Sequence, residues 1–176
     1  MKIFGIVIGV IAVVVAAVLA YAATRPDQFE VQRSTSIRAS ADKVFPLIND
    51  LRTFNTWNPF DKKDPNIKGT YSGPESGKGA AYEFESSQAG TGRIEIADAA
   101  PPSRVTMRLT MIKPLAADNR VQFILQPQGD TTRVTWAMDG DVPFVGKLIH
   151  LFIDMDRMVG QEFAAGLAEL KARAER

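Results

Sequence analysis

Apolar and polar residues alternate through the middle of the chain with the period of β-strands. The alternation is clearest in 104–112, 120–126 and 132–139, and shorter stretches surround residues 82–84 and 94–96. In each segment one side is apolar and the other mainly polar, which is typical of an antiparallel sheet with one buried and one solvated face. We therefore predict that these segments are strands of one sheet.

Turn-forming residues separate the alternating segments and predict hairpins between them. They lie at 77–79, Gly90, Pro101-Pro102, Asp118-Asn119 and Gly129-Asp130. Upstream, an initial strand is expected near 29–39. A short helix should begin after Ser40, a residue type that caps helix N-termini, and a second short helix or turn is expected near 51–57.

The period changes to three and four residues in 144–174. Apolar residues such as Phe152, Phe163 and Leu167 recur there at helical spacing, which predicts one amphipathic helix of up to about eight turns. Its apolar stripe, Phe152 included, should pack on the apolar face of the sheet. Gly160 and Gly166 are expected to bend this helix.

The start of the chain is a separate hydrophobic segment. Residues 3–23 form an uncharged run of 21 residues, about 31 Å long as a helix and close to the thickness of a bilayer core. We predict a single-pass anchor over 1–25 and a separate domain over 27–174. A signal peptide cleaved at the A-x-A pattern of 20–22 and a buried core helix are the alternatives.

The charges on the two sides of this run favour opposite membrane orientations. Lys2 and the α-amine favour a cytoplasmic N-terminus, whereas Arg25, Arg33 and Arg38 follow the run and oppose that orientation. An apolar run that follows such a short N-terminal tail resembles a signal anchor. We therefore favour a domain that lies outside the cytoplasm.

Charge and composition exclude several functions for the rest of the chain. Residues 24–176 hold 20 of the 21 basic residues and all 20 acidic ones, so they carry no net charge. Such a domain lacks the basic surface that nucleic-acid binding needs. The chain has no cysteine and one histidine, which excludes disulfides, a thiol nucleophile and a metal site of several histidines. We predict neither a metal nor a cofactor.

Short segments spread along the chain carry a family resemblance. They are 29–34 (FEVQRS), 40–45 (SADKVF), 49–51 (NDL), 57–60 (WNPF), 71–74 (YSGP), 134–136 (VTW) and 163–171 (FAAGLAELK). Together they resemble the START-like, helix-grip superfamily of polyketide cyclase/dehydrase-like and lipid-transfer proteins, in particular a membrane-anchored branch. The resemblance covers about 27–174. It implies an α+β helix-grip fold, in which a curved antiparallel sheet of about seven strands wraps on a long C-terminal helix. The superfamily hosts carriers, sensors and enzymes, and has no shared catalytic motif to place here.

Two loops imitate ligand-binding motifs without completing them. The acidic and amide residues of 64–75 have calcium-loop spacing, but Lys68 occupies a position that needs an oxygen ligand. The glycine-rich segment 73–79 has one residue too few before its second glycine and no Ser or Thr after its lysine. We interpret the first as a loop that leads into a strand and the second as a hairpin turn.

His150, Asp154 and Tyr82 are the candidates for acid–base chemistry. His150 and Asp154 are four residues apart in the predicted helix, so the carboxylate could orient the imidazole. A pair on the polar edge of the helix explains the same spacing without a function. Because no catalytic constellation is visible, we favour a protein that is not an enzyme.

The inward row of the sheet is large, aromatic and rich in methionine, which predicts an adaptable apolar lining for a ligand. The predicted lining residues are Trp57, Tyr82, Phe84, Met107, Leu109, Met111, Phe123, Trp136, Met138 and Phe152. We predict a membrane-tethered domain that binds an apolar or amphipathic small molecule, such as a lipid, between the sheet and the C-terminal helix. Two alternatives stay open: a cyclase- or dehydratase-type enzyme acting on a hydrophobic substrate, and a structural or interaction domain with a filled core.

Overall fold

The computed structural model describes residues 2–176. The helices are α1 (Lys2–Ala23), α2 (Ala41–Val44), α3 (Pro46–Asn49), α4 (Leu51–Asn55), α5 (Pro59–Lys62), α6 (Phe144–His150) and α7 (Met155–Ala174). The strands are β1 (Gln28–Ile37), β2 (Lys68–Ser72), β3 (Ala81–Ser86), β4 (Gly90–Ala100), β5 (Arg104–Lys113), β6 (Ala117–Gln128) and β7 (Thr131–Asp141).

The strands form one antiparallel sheet in the order β1-β7-β6-β5-β4-β3-β2. Strands β2 to β7 are a meander, and β1 pairs with β7 along its whole length. The predicted fold class is therefore confirmed: a seven-stranded antiparallel sheet with a C-terminal helix, preceded by an apolar N-terminal helix.

The strand register brings one set of strand ends together. Gln28 lies opposite Asp141 at the start of β1, Ala117 lies opposite Met111 at the start of β6, and Lys68 lies opposite Glu85 at the start of β2. We call this edge the anchor-side end of the sheet, after the anchor that the sequence predicts, because α1 leads into β1 there.

One predicted turn is wrong. Asp118 and Asn119 lie inside β6, where Asn119 is opposite Gly140 on β7. The β5–β6 turn lies earlier, at 114–116, because Pro114 has no amide hydrogen to continue the ladder. Asn119 is buried on the inner face of the sheet, a position that its polar character alone does not reveal.

The predicted long helix is two helices. A non-helical linker, 151–154, separates α6 from α7, and the Asp154 carboxylate accepts a hydrogen bond from the Arg157 amide at 2.9 Å. This N-cap starts a new helix, since its side-chain bond replaces the bond that a continuous helix would make. The predicted burial of Phe152 is wrong as a consequence: its side chain lies on the linker and is 84% exposed.

The two glycines of α7 serve close packing. A side chain at Gly166 would collide with the rings of Trp136 and Pro59, and one at Gly160 would collide with the Arg33 guanidinium. The missing side chains let α7 lie directly on the concave face of the sheet, where the Phe163 ring stacks on Trp136 at 4.2 Å between centroids.

Short helices close the other side of the core. The Asp50 carboxylate caps α4 by accepting the Arg52 amide at 2.8 Å. After α4, Trp57 is completely buried and its indole Nε1 donates to the Leu47 carbonyl at 2.8 Å. Its ring meets those of Phe54 and Trp136 edge to face, so these helices and the sheet share one aromatic core.

The N-terminal helix touches the domain at its C-terminal end. Within the described residues, one segment, Ile6–Ala23, is long and apolar enough to cross a membrane, and 6% of it is buried. That end of α1 approaches α6, and Ala22 is fully buried there. The Asp27 carboxylate pairs with the Lys147 ammonium, and the Asp27 carbonyl accepts the Val142 amide at 2.7 Å.

Candidate functional site

A cavity of about 220 Å³ lies between the concave face of the sheet and helices α4, α5 and α7. Six of the sequence-predicted residues line it: Tyr82, Phe84, Leu109, Met111, Trp136 and Met138. The cavity is larger than the 150 Å³ that holds a benzene ring, and smaller than the pockets of drug-sized ligands. Its walls therefore suit a compact apolar molecule.

Four predicted lining residues lie elsewhere. Trp57, Met107 and Phe123 are completely buried in the core behind the lining, and Phe152 is on the exposed linker. Alternation identifies the inner face of a strand, but it does not tell how deep a residue on that face lies.

The predicted lining lacks the residues contributed by helices and short loops, and also Ile94 of β4 and Val121 of β6. Phe54, Asn55, Asn58, Phe60 and Asp61 come from α4, α5 and the connection between them, and Phe163 comes from α7. Phe163 belongs to the helical apolar stripe and could have been found from it. The polar residues carry no periodic signal.

Asp61 and Tyr82 place a titratable pair on the cavity wall. Partial burial raises the pKa of the Asp61 carboxyl, while hydrogen bonds with Tyr82 and Asn58 oppose that rise. Burial and the neighbouring Asp61 charge together raise the pKa of the Tyr82 hydroxyl well above its usual range. Tyr82 therefore stays a hydrogen-bond donor, and Asp61 keeps its proton to higher pH than an exposed aspartate.

Three buried polar atoms on the lining residues have no hydrogen-bond partner within residues 2–176. They are Asn55 Oδ1, Asn119 Oδ1 and the indole Nε1 of Trp136. An unpaired buried polar group costs about 1–3 kcal/mol. The side chains that carry these two acceptors and one donor belong to the wall of an otherwise apolar cavity.

Charge is scarce on the same walls. Among the described lining residues there is no lysine, arginine or histidine, and Asp61 is the one carboxylate. An anionic ligand would find no counter-charge and would meet Asp61. The lining therefore disfavours an anionic molecule.

The partly exposed lining residues at the anchor-side end mark an entrance. Ile67 precedes β2, Ala89 lies in the β3–β4 turn, and Met111 lies near the end of β5. All three are partly exposed, so the cavity reaches the surface at this end of the sheet.

Hydrogen bonds to the Asp64 carboxylate connect two sides of this entrance. Its carboxylate is 3% exposed and accepts hydrogen bonds from Ser86 Oγ at 2.7 Å and from the Ser87 amide at 2.9 Å. These bonds join the loop before β2 to the β3–β4 turn. They lower the pKa of Asp64 to about 2. The loop leads into a strand, as the sequence predicts.

We expect Asp64→Asn to remove part of the pH dependence of stability. The pKa of Asp64 lies near 2 in the folded protein and near 3.8 when unpaired, so its ionised form stabilises the fold above about pH 4, and that contribution is lost as pH falls toward 2. The stability difference between the parent and the variant should therefore be largest at neutral pH and shrink toward pH 2. Urea unfolding of the full chain in detergent at several pH values measures this difference.

The matched control is Asp130→Asn, at an exposed β6–β7 turn position. It should leave the pH dependence unchanged. A difference between parent and Asp64→Asn that stays constant from neutral pH to pH 2 would contradict the assignment.

The three sequence-predicted acid–base candidates do not meet on the cavity wall. His150 ends α6, and its ring meets Phe29 edge to face at 6.2 Å between centroids. Asp154 caps α7. Neither lines the cavity, whereas Tyr82 does.

A curved antiparallel sheet that grips a C-terminal helix over an apolar cavity defines the helix-grip class of domains. The chain belongs to the family described as polyketide cyclase / dehydrase and lipid transport, whose model matches residues 28–175. The family supports a hydrophobic ligand-binding or cyclase-like domain. No curated protein matches the chain significantly.

Solved structures with the same fold come from distant organisms. The Mll3558 protein of Rhizobium loti is 20% identical, with a TM-score of 0.60 over 82% of this chain and 96% of that one. Major latex-like protein 151 of Panax ginseng is 13% identical, with a TM-score of 0.61 over 86% of this chain and 100% of that one. The hypothetical protein jhp0584 of Helicobacter pylori is 13% identical, with a TM-score of 0.63 over 84% and 88% of the two chains. At these identities the likeness establishes the fold alone.

Proposed function

We propose that the protein is a membrane-tethered binding domain for an uncharged apolar molecule that carries a hydroxyl or amide group. The observation that carries this proposal is the apolar cavity with three unpaired polar atoms and no basic side chain among its described lining residues. The apolar walls supply binding energy through burial, and a hydroxyl can donate to an asparagine oxygen and accept from the Trp136 indole. The apolar segment Ile6–Ala23 supports the tether, and we place the domain outside the cytoplasm.

Photolabelling of the full chain in phosphatidylcholine nanodiscs tests the binding. The probe has a short alkyl chain, a diazirine and a terminal hydroxyl. After irradiation and digestion, mass spectrometry should find label on peptides that contain cavity residues. The same probe with a terminal carboxylate should label them at least about tenfold less, a difference of about 1.4 kcal/mol, because it meets no counter-charge.

Leu109→Trp is the matched variant. Leu109 lines the cavity, so an indole there fills the space and should lower cavity labelling by at least about tenfold. Thr110→Trp places the same ring on the next residue, outside the lining, and should leave labelling unchanged. Equal labelling of the parent and Leu109→Trp would show that binding does not use this cavity.

A cyclase- or dehydratase-type reaction is the second candidate function, and the Asp61–Tyr82 contact favours it. A carboxyl group with a raised pKa keeps a proton that it can give to a substrate hydroxyl, as a general acid does. Loss of water from a β-hydroxy ketone, in which the hydroxyl leaves as water and the α-hydrogen passes to solvent, would replace binding with catalysis if it is absent with Asp61→Asn.

A further inference from the structure

Exposed apolar side chains gather at the anchor-side end of the domain. They lie at the end of β5, on the β5–β6 turn, on α6 and on the linker before α7, and each is at least 42% exposed: Ile112, Leu115, Phe144, Val145, Phe152 and Ile153. We call this set the apolar rim. Exposed apolar clusters of this kind mark protein or membrane contacts.

The rim is held close to the end of the N-terminal helix. Only residues 24–27 separate α1 from β1, and four residues span at most about 14 Å. The Asp27–Lys147 ion pair and the hydrogen bond from the Val142 amide to the Asp27 carbonyl fix this connection to α6. If α1 spans a bilayer, the rim lies within reach of its surface.

The entrance of the cavity lies at the same end. Ile67, Ala89 and Met111 line it, and the strand register places them beside the starts of β2, β4 and β6, the edge at which α1 enters the sheet. The β5–β6 turn, which carries Leu115, begins three residues after Met111. Rim and entrance therefore share the anchor-side end.

We propose that the apolar rim inserts into the interfacial layer of the membrane that holds α1, so that the cavity exchanges its ligand with the bilayer rather than with water. The proposal rests on the membrane tether proposed above. Exposed charges of both signs lie at this end, Asp141 and Asp154 as well as Arg25 and Lys113, so the insertion we propose rests on apolar contact and not on attraction to anionic lipids. A zwitterionic membrane is therefore sufficient.

Fluorescence quenching in nanodiscs tests the insertion. The chain has no cysteine, so Leu115→Cys and Phe152→Cys can each carry one environment-sensitive dye on the full protein. Phosphatidylcholine with nitroxides on its acyl chains should quench both dyes, and aqueous iodide should not reach them. Asp130→Cys, at the opposite end of the sheet, should show the reverse.

A dye on Val10→Cys distinguishes failure of the proposed insertion from failure of the proposed tether. Val10 lies in the apolar helix, and lipid nitroxides should quench a dye there. Quenching at position 10 together with iodide access at 115 and 152 would overturn the insertion while leaving the tether, and would leave the rim for a protein partner. Iodide access at position 10 would overturn both.

A double variant tests the route of the ligand. Leu115→Glu with Phe152→Glu places charges on two exposed rim positions and leaves the cavity lining intact, so unfolding should be unchanged. Photolabelling by a hydroxyl probe supplied in donor vesicles should slow by about tenfold or more, because the rim no longer enters the interface. An unchanged labelling rate would overturn the exchange with the bilayer.

Discussion

Phe163→Ala is expected to lower the free energy of unfolding by about 3–5 kcal/mol. The Phe163 ring is 2% exposed and stacks face to face on Trp136, with 4.2 Å between centroids. Removing it deletes buried apolar area and joins the vacated space to the existing cavity, which the rigid rings around it cannot close. Denaturant unfolding of the full chain in detergent, monitored by tryptophan fluorescence, measures the loss.

Phe152→Ala is the matched control for this prediction. Both phenylalanines belong to the same periodic segment of the sequence, but Phe152 is on the exposed linker. Its replacement should change the free energy of unfolding by less than about 0.5 kcal/mol. A loss at Phe152 comparable to that at Phe163 would mean that α6 and α7 form one buried helix after all.

Gly166→Ala is expected to destabilise the domain by about 2 kcal/mol, although alanine is the better helix former. The new Cβ would lie 2.7 Å from Trp136 Cζ3 and 2.9 Å from Pro59 Cδ. Both neighbours are rings that cannot swing aside, so α7 must move off the sheet at a cost of about 3 kcal/mol. The gain in helix propensity returns about 1 kcal/mol. The midpoint of denaturant unfolding shows the net effect.

Gly160→Ala provides the comparison within the same helix. Its Cβ would meet the Arg33 guanidinium, which pairs with Asp156 at 2.9 Å near the surface. The flexible Arg33 side chain can turn away, which loses only an exposed ion pair, and the helix propensity gain of about 1 kcal/mol offsets that loss. We expect little net change. Equal destabilisation by Gly160→Ala and Gly166→Ala would contradict the expected difference between rigid rings at Gly166 and a flexible side chain at Gly160.

The period of the sequence determined the sheet and the chemical character of its inner face. Alternation along β3, β5 and β7 places every second residue on one side because the side-chain period of a strand is two. Six of the predicted lining residues, Leu109 and Trp136 among them, consequently lie on the cavity wall. The uncharged run of residues 3–23 likewise predicted the apolar N-terminal helix. Its length follows from the number of residues, since helix rise per residue is constant.

Where the periodic pattern predicted the wrong structure, individual hydrogen bonds and strand pairings decided the outcome. The apolar spacing continues from α6 to α7, but the Asp154 cap ends one helix and begins another, and Phe152 turns outward. In the same way, Asn119 has turn-forming character but is held inside β6 by its ladder partners on both sides. Capping bonds and ladder bonds depend on where their partner groups lie, and the periodicity of a sequence does not give those positions.

Only the tertiary structure decided the cavity. Asp61 and Tyr82 are far apart in sequence, and the unpaired atoms of Asn55, Asn119 and Trp136 come from three different elements. Whether such groups meet, and whether space remains between them, depends on how close α7 comes to the sheet. That distance is set by absent side chains at Gly160 and Gly166 and by ring packing around Trp136, and the apolar pattern of a sequence is the same for a filled core and for a hollow one.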